Sequence, residues 1–525
     1  MTKREELVST MTGAYSAKGT AIPLGAPKFE NEVISGTLIQ APLKTFNRHG
    51  LIAGATGTCK TKTLQNLAEQ LSVHGVPSLL MDIKGDLSGI SQAGTENPKI
   101  LERHQALGIQ WQPEGMPVEF LSISHEKGVR MRATISEFGP VLLSKILELN
   151  DVQSGVVSMI FKFCDDRELP LLDIKDFRKV CQHLQTDEGK KQIENDYGLA
   201  SSASIGAIMR NLLEIEQQGA DMFFGEPSFE IEDLMRTDSR GYGYCNVLRL
   251  TDLQAKPGLF STFMLCLLAE IYEKLPERGD QDKPVLCIFI DEAHLIFKEA
   301  SKALLNQITT IVKLIRSKRV GLYFITQDPT DVPEDVLGQL GMKIQHALRA
   351  FTEKDRKAIK TIAENFPPSD FYTTSDLLTS LGIGEALVTV LNEKGIPTPL
   401  VHTYLTAPKT RMDVITEQEM DAIVKSSKLV QKYNVDIDRD SAFEILSGKI
   451  KSHNAPVEED TQEEEEQRQA EKEVPQRKGP QEKSTFDKVL GSSVTRTIVR
   501  EVTRGLLGVL GIKSSTGRRK KSSWF

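Results

Sequence analysis

No two cysteines of this chain stand in C-x-x-C spacing. The six present, Cys59, Cys164, Cys181, Cys245, Cys266 and Cys287, are scattered along 525 residues. Neither a zinc site nor a disulfide framework is expected from them; reduced thiols in a cytosolic protein are. Long hydrophobic runs are missing too. No stretch approaches the ~20 apolar residues that a membrane-spanning helix needs, and the charged start, Met-Thr-Lys-Arg-Glu-Glu, lacks the apolar centre of a signal peptide. A cytoplasmic protein without integral membrane association is therefore expected. Nor is positive charge in excess: Lys and Arg number 65 against 72 Asp and Glu, a net charge of −7. That balance excludes a general basic coat for nucleic acid while leaving room for a local groove. The core shows no zinc finger and no basic recognition helix with which to read bases. The length suffices for two or three domains with a substantial core.

What the chain does have is the stretch Gly54-Ala55-Thr56-Gly57-Thr58-Cys59-Lys60-Thr61, directly after the apolar run at 50–53 and before a segment of helical spacing at 63–71. This is the G-x-x-x-x-G-K-[ST] pattern of a phosphate-binding loop with Cys59 at the last glycine. Small residues let successive backbone N–H groups turn inward around the phosphates of a nucleotide. Lys60 then reaches the β- and γ-phosphates, and the Thr61 hydroxyl ligates Mg²⁺. The expected cradle runs from Gly54 to Lys62, with ATP and Mg²⁺ as the cofactors. Cysteine before the lysine costs on the order of 1 kcal/mol unless the loop relaxes. It is either a tolerated small substitute or a redox-sensitive thiol activated by Lys60 and the helix N-terminus.

A second half of the site lies far downstream. The apolar strand pattern at 285–290 closes in Asp291-Glu292-Ala293-His294, where Asp291 would hold the Mg²⁺ shell and Glu292 would position or deprotonate the attacking water. The strand pattern at 320–326 ends in Gln327, a candidate for sensing the γ-phosphate or orienting water. A further strand at 76–81 ends in Asp82, Lys84 and Asp86, either neighbours of the site or simply a polar turn.

The expected organisation is a short irregular lead-in at 1–45, with some strand character at 32–39, and a first part of the core at 46–100. A mainly helical insertion follows at 101–240, then a second part of the core at 241–450 that closes with a hairpin whose turn is at 392–395. Residues 451–485, dense in Glu, read as a disordered acidic linker. Residues 486–525 read as a basic amphipathic tail suited to nucleic acid, an acidic membrane surface or a neighbouring subunit.

The set GATGTCKT, MDIKGD, FIDEAHLIF and FITQDPTDVP, in this order and spacing, resembles the HerA–FtsK ATPases, in particular the YjgR branch of HerA-like proteins. LGIGEALVTVLNEKGIPTP and TRGLLG are similar to that branch as well. The resemblance implies an α/β, RecA-like P-loop core with a mainly parallel sheet, flanking helices and an additional strand. It implies a homo-oligomeric, often hexameric ring with ATP sites between subunits, acting on DNA or on a protein partner. It gives Lys60, Glu292 and Gln327 catalytic roles and Thr61 and Asp291 the metal. It also places a basic residue before the first core strand, here Arg48, and a trans-acting arginine finger before the sensor strand, here Arg316 or Arg319. The roughly 45 residues before that first strand leave too little room for the N-terminal β-barrel of DNA-translocating HerA proteins, so translocation is not implied. Asp291 to His294 also spell the motif of DEAH-box helicases, but the second RecA-like domain with its Q-x-x-G-R-x-G-R motif is missing. A nucleotide-binding scaffold or a protein-remodelling ATPase without DNA activity is the remaining alternative.

Overall fold

Mostly apolar segments of two to nine residues become the strands of one sheet. They are β1 (Ala21–Phe29), β2 (Glu32–Val33), β3 (Ile39–Pro42), β4 (Gly50–Ala53), β5 (Ser78–Asp82), β6 (Val118–Ser122) and β7 (Val129–Arg130). Then come β8 (Cys245–Arg249), β9 (Leu286–Ile290), β10 (Val320–Thr326), β11 (Met342–Gln345), β12 (Glu385–Thr389) and β13 (Val401–Leu405). The computed structural model describes residues 1–453 apart from 199, 255–256, 278, 280, 300–301 and 438. The basic tail and the acidic linker from residue 454 lie outside the described residues. Two compact units divide the chain, Met1–Phe443 and Glu444–Phe525, and the sheet belongs to the first.

The strand order is β2-β1-β13-β12-β11-β4-β10-β9-β5-β8-β6-β7, with β3 also on β1. Every pairing from β11 to β7 is parallel, and those from β11 to β2 are antiparallel. Strands β4, β5, β9 and β10 are buried at every residue, as strands with both faces covered must be, which is why their central residues read as apolar runs without alternation. Phe289 of β9 stacks on Tyr323 of β10 with ring centroids 4.8 Å apart. Each such buried side chain contributes roughly 1.5–3 kcal/mol of hydrophobic stabilisation. The expected mainly parallel α/β core is thus present, with β10 inserted as the additional strand between β4 and β9.

Two stretches differ from the sequence expectation. Residues 1–45 are not an irregular lead-in: helix α1 (Lys3–Tyr15) buries Leu7, Met11 and Tyr15 along one face, and β1 to β3 extend the antiparallel side of the sheet. Pro23, Gly25 and Pro27 masked β1. It tolerates them because its first half pairs with β3 and its second half with β13 and β2, so a missing N–H does not break a two-sided ladder. A Cβ on Gly25 would meet Tyr404 O at 2.1 Å, a close approach that demands glycine there. The span 101–240 likewise holds sheet strands: after the helix Pro98–Leu107 it gives β6 and β7, and only then becomes mainly helical. Glu119 interrupts the apolar pattern of β6, yet it is buried and paired with Arg236 at 2.8 Å.

The helices between β7 and β8 are Ile135–Ile146, Asp151–Asp166, Ile174–His183, Asp187–Tyr197 and Ser202–Gln217 among the described residues. Reciprocal capping boxes start three of them, Thr134 with Glu137, Asn150 with Gln153 and Asp173 with Asp176, each satisfying two orphan backbone donors. All six cysteines are free. No helix among the described residues is long and apolar enough to cross a membrane.

Candidate nucleotide site

Because β4, β5, β9 and β10 run parallel, residues that follow them in sequence collect at one end of the sheet. There the loop from Gly54 to Cys59 joins β4 to helix α2 (Lys60–Val73). Its shape is held from both neighbouring strands, as Gly54 N donates to Thr326 O at 3.3 Å and Ala55 N to Ala347 O at 2.8 Å. Inside the loop the Thr58 hydroxyl and Lys60 Nζ both donate to Ala55 O, at 2.7 and 3.1 Å. Beneath it lies His346, fully buried, with N donating to Ala53 O and its ring Nε2 3.0 Å from Thr63 Oγ1. A Cβ on Gly54 would strike His346 at 2.6 Å. Burial, and then the Lys60 charge, push this histidine down to about 4, so it supports the loop as a neutral ring.

Cys59 adopts φ 78° and ψ 24°, the left-handed region, as the N-cap residue of α2. The glycine of the loop pattern is therefore missed where it matters, at a cost of roughly 1–2 kcal/mol for a residue bearing a Cβ. Cys59→Gly should melt at or above the parent temperature, whereas Cys59→Val, β-branched at positive φ, should lose about 1–2 kcal/mol. Equal melting of the two variants would contradict the left-handed conformation.

Helix α2 is buried on its polar face as well as its apolar one. The segment 406–413 crosses it: Asn66 Nδ2 donates to Thr406 O at 2.8 Å, Gln65 Nε2 donates to Thr410 Oγ1 at 2.6 Å, and Glu69 accepts from Lys409 N and Thr410 N. Lys62 Nζ donates to Met412 O. That directs the Lys62 side chain to the crossing segment, so only its backbone N–H is left to serve the cradle.

Opposite the loop stand the acids. Asp291 and Glu292 are 1% and 5% exposed, and Glu292 sits at φ 47°, a strained backbone for a residue with a side chain. Its N–H donates to Asp291 Oδ1 at 2.9 Å. Gln327 bridges the two halves: its Oε1 accepts from the Thr56 hydroxyl at 3.2 Å, and its Nε2 donates to Glu292 Oε1 at 3.5 Å. His294 Nδ1 lies 3.1 Å from Glu292 Oε2. Lys84, from the turn after β5, pairs with Glu292 Oε1 and lies 4.0 Å from Asp291 Oδ2. Burial disfavours the Lys84 charge, yet Asp291 and Glu292 together hold its pKa above the usual lysine value. Lys60 goes the other way, lowered by burial and then by Lys84.

The donor set suits a divalent cation. Asp291 Oδ2 and Asp86 Oδ1 are buried without a hydrogen-bond partner, and burial raises Asp291 to about 6, a penalty that a bound cation removes. No ready-made cluster of three or more His, Cys, Asp or Glu exists among the described residues. The remaining ligands would have to be phosphate oxygens and water, the usual arrangement for Mg²⁺.

The arginines are elsewhere. Arg48 precedes β4, and Arg316 and Arg319 precede β10, so all three belong to the opposite end of the sheet. Seven-residue β10 alone separates Arg319 from Gln327 by more than about 20 Å at the ordinary strand rise. Arg48 therefore does not join the cradle of its own chain, because a residue before a parallel strand lies at the far edge from one after it. Arg319 is 5% exposed and donates to Gln281 O, whereas Arg316 is exposed. Burial and then the charges of Arg48 and Arg319 lower the Arg316 pKa, which marks a positive cluster at that edge. His346 and the 406–413 crossing were not foreseen. For the histidine, its place at the end of an apolar strand next to β4 was the one available signal.

A loop between a strand and a helix, facing acids two strands away across an inserted strand, defines the fold of a P-loop NTPase. Within that class the chain belongs to the HerA-like family: the model of the helicase HerA-like C-terminal domain matches residues 30–516. A relative, the DNA double-strand break repair helicase HerA of Saccharolobus solfataricus, is 22% identical over 356 residues, which is 67% of this chain and 63% of that protein. The chain thus spans under two thirds of that relative's length. Among solved structures, the unbound bacterial conjugative coupling protein TrwB is similar with a TM-score of 0.51 and 13% identity, covering 78% of this chain and 94% of that one. TrwB in complex with ADP and Mg²⁺ is similar at a TM-score of 0.50 and 13% identity, with coverage of 78% and 94%.

Proposed function

We propose that this chain is a Mg²⁺-dependent ATP hydrolase, a HerA-like motor that assembles as a homo-oligomeric, hexameric ring and acts on DNA. The observation that carries the reading is the bridge from Thr56 through Gln327 to Glu292, which puts the phosphate loop and the acid pair into one polar network. In this reading the inward N–H groups of the loop and Lys60 hold the β- and γ-phosphates. Glu292 takes a proton from water as the water oxygen attacks the γ-phosphorus; the bond to the β-phosphate oxygen breaks, and ADP and inorganic phosphate leave. Gln327 orients that water or reports the γ-phosphate to the loop. Thr61 and Asp291 would hold Mg²⁺, whose chemistry is to neutralise charge on the phosphoryl oxygens. Arg316, exposed at the far edge, is the better placed of the two candidates to reach a neighbouring subunit's site, where an arginine is worth about 10³–10⁵ in rate.

Hydrolysis measured with and without single- and double-stranded DNA across a salt series tests the DNA assignment. DNA should stimulate turnover at low salt, with the effect fading as counterion release weakens binding. Turnover that ignores DNA, together with no DNA binding at the lowest salt, would leave a protein-remodelling ATPase.

A further inference from the structure

Lys84 has no role in the mechanism above, yet it makes the closest contact to its proposed base. Its position is built rather than incidental. Asp82, at the end of β5, accepts from Gly85 N at 2.7 Å, Asp86 N at 3.1 Å and Leu87 N at 3.2 Å. Gly85 closes the turn at φ 76°. The fixed turn projects Lys84 across the neighbouring strand β9, where Met81 pairs with Ile290, onto the two acids that follow it.

The ammonium then meets Glu292, its side chain 6% exposed, and Asp291, 2% exposed, while 36% of its own side chain remains open to solvent. It is also close enough to Lys60 for its charge to lower that lysine's pKa. Two lysines thus share a small volume with Asp291, Glu292 and Asp86, the last close enough for its charge to act on both Lys84 and Asp291. A carboxylate oxygen engaged by an ammonium is a poor proton acceptor, so the pair holds Glu292 idle. A triphosphate seated on Lys60 brings a larger negative charge into the same volume, and a lysine on its flexible four-carbon stem can follow it.

We infer that Lys84 is a second γ-phosphate-contacting cation: it rests on Glu292 when the site lacks a triphosphate and exchanges that partner for the γ-phosphate when one binds, which frees Glu292 for water. The inference rests on the ATPase reading, and its test is binding, so that the two can fail separately. Calorimetric titration of ADP and of a non-hydrolysable ATP analogue, each with Mg²⁺, compares the parent with Lys84→Met and Lys84→Arg. The same substitutions are repeated in a Glu292→Gln background.

A charge-assisted contact to one phosphate is worth about 10- to 100-fold in affinity. Lys84→Met should weaken the ATP analogue by that factor and leave ADP unchanged, Lys84→Arg should recover part of the loss, and the selective loss should persist when Glu292 is Gln. An unchanged ratio, or an equal loss for both nucleotides, overturns the inference and leaves Lys84 a counter-ion of Glu292. Failure of the parent to bind either nucleotide overturns the ATPase reading and the inference with it. Thermal melts accompany each variant; Lys84 is exposed, so the fold should survive the substitutions.

Discussion

Glu292→Gln should lower kcat for ATP hydrolysis by about 10²–10⁴-fold, the range expected for loss of a positioned general base, while nucleotide affinity stays within a few-fold. The substitution keeps the size of the side chain and an oxygen that can accept from Gln327, so the polar network around the loop should persist. What disappears is the site's means of taking a proton from water. The left-handed backbone at Glu292 sharpens the expectation. The protein holds Glu292 on a strained backbone with its side chain between His294 and Lys84, and strain of that kind persists where the surroundings over-determine it. Single-turnover phosphate release with bound ATP checks the rate, and equilibrium titration checks the affinity. A variant that hydrolyses at the parent rate would remove Glu292 from the reaction.

Lys60→Ala should separate binding from stability. Lys60 is 7% exposed, its ammonium is held by Ala55 O, and burial together with Lys84 already disfavours its charge. Removing it should cost the empty protein little or nothing in melting temperature. Nucleotide binding, however, loses charge-assisted bonds to two phosphates, each worth about 1.5–3 kcal/mol. Affinity for ATP should therefore fall by about 10²-fold or more. A variant that binds ATP normally would mean that the loop's backbone donors suffice. One that melts far below the parent would mean that Lys60 is a structural residue.

Much of the reaction centre could be read from the sequence because its strands are buried on both faces. The runs that became β9 and β10 are buried throughout and mostly apolar, and Asp291-Glu292 and Gln327 stand out directly after their ends. Strand β6 escaped notice because Glu119 breaks the pattern, and only the fold supplies Arg236 to satisfy it. Strand β1 escaped because of Pro23 and Pro27, and only the split pairing with β3 and β13 makes them harmless. The contacts of Lys84 and His346 join residues more than 200 positions apart, which no local pattern encodes. Arg48 was misplaced for a different reason. In a parallel strand the start and the finish lie at opposite edges, so a residue just before β4 is remote from the loop just after it.

The central claim is that the Gly54 to Thr61 loop and the Asp291–Glu292 pair form one ATP-hydrolysing centre. Steady-state phosphate release by the full chain, titrated with Mg²⁺, tests it most directly. The account predicts Mg²⁺-dependent turnover that is lost in both Lys60→Ala and Glu292→Gln. Intact ATP binding with no phosphate release by the parent under any Mg²⁺ concentration would contradict it and leave a nucleotide-binding scaffold.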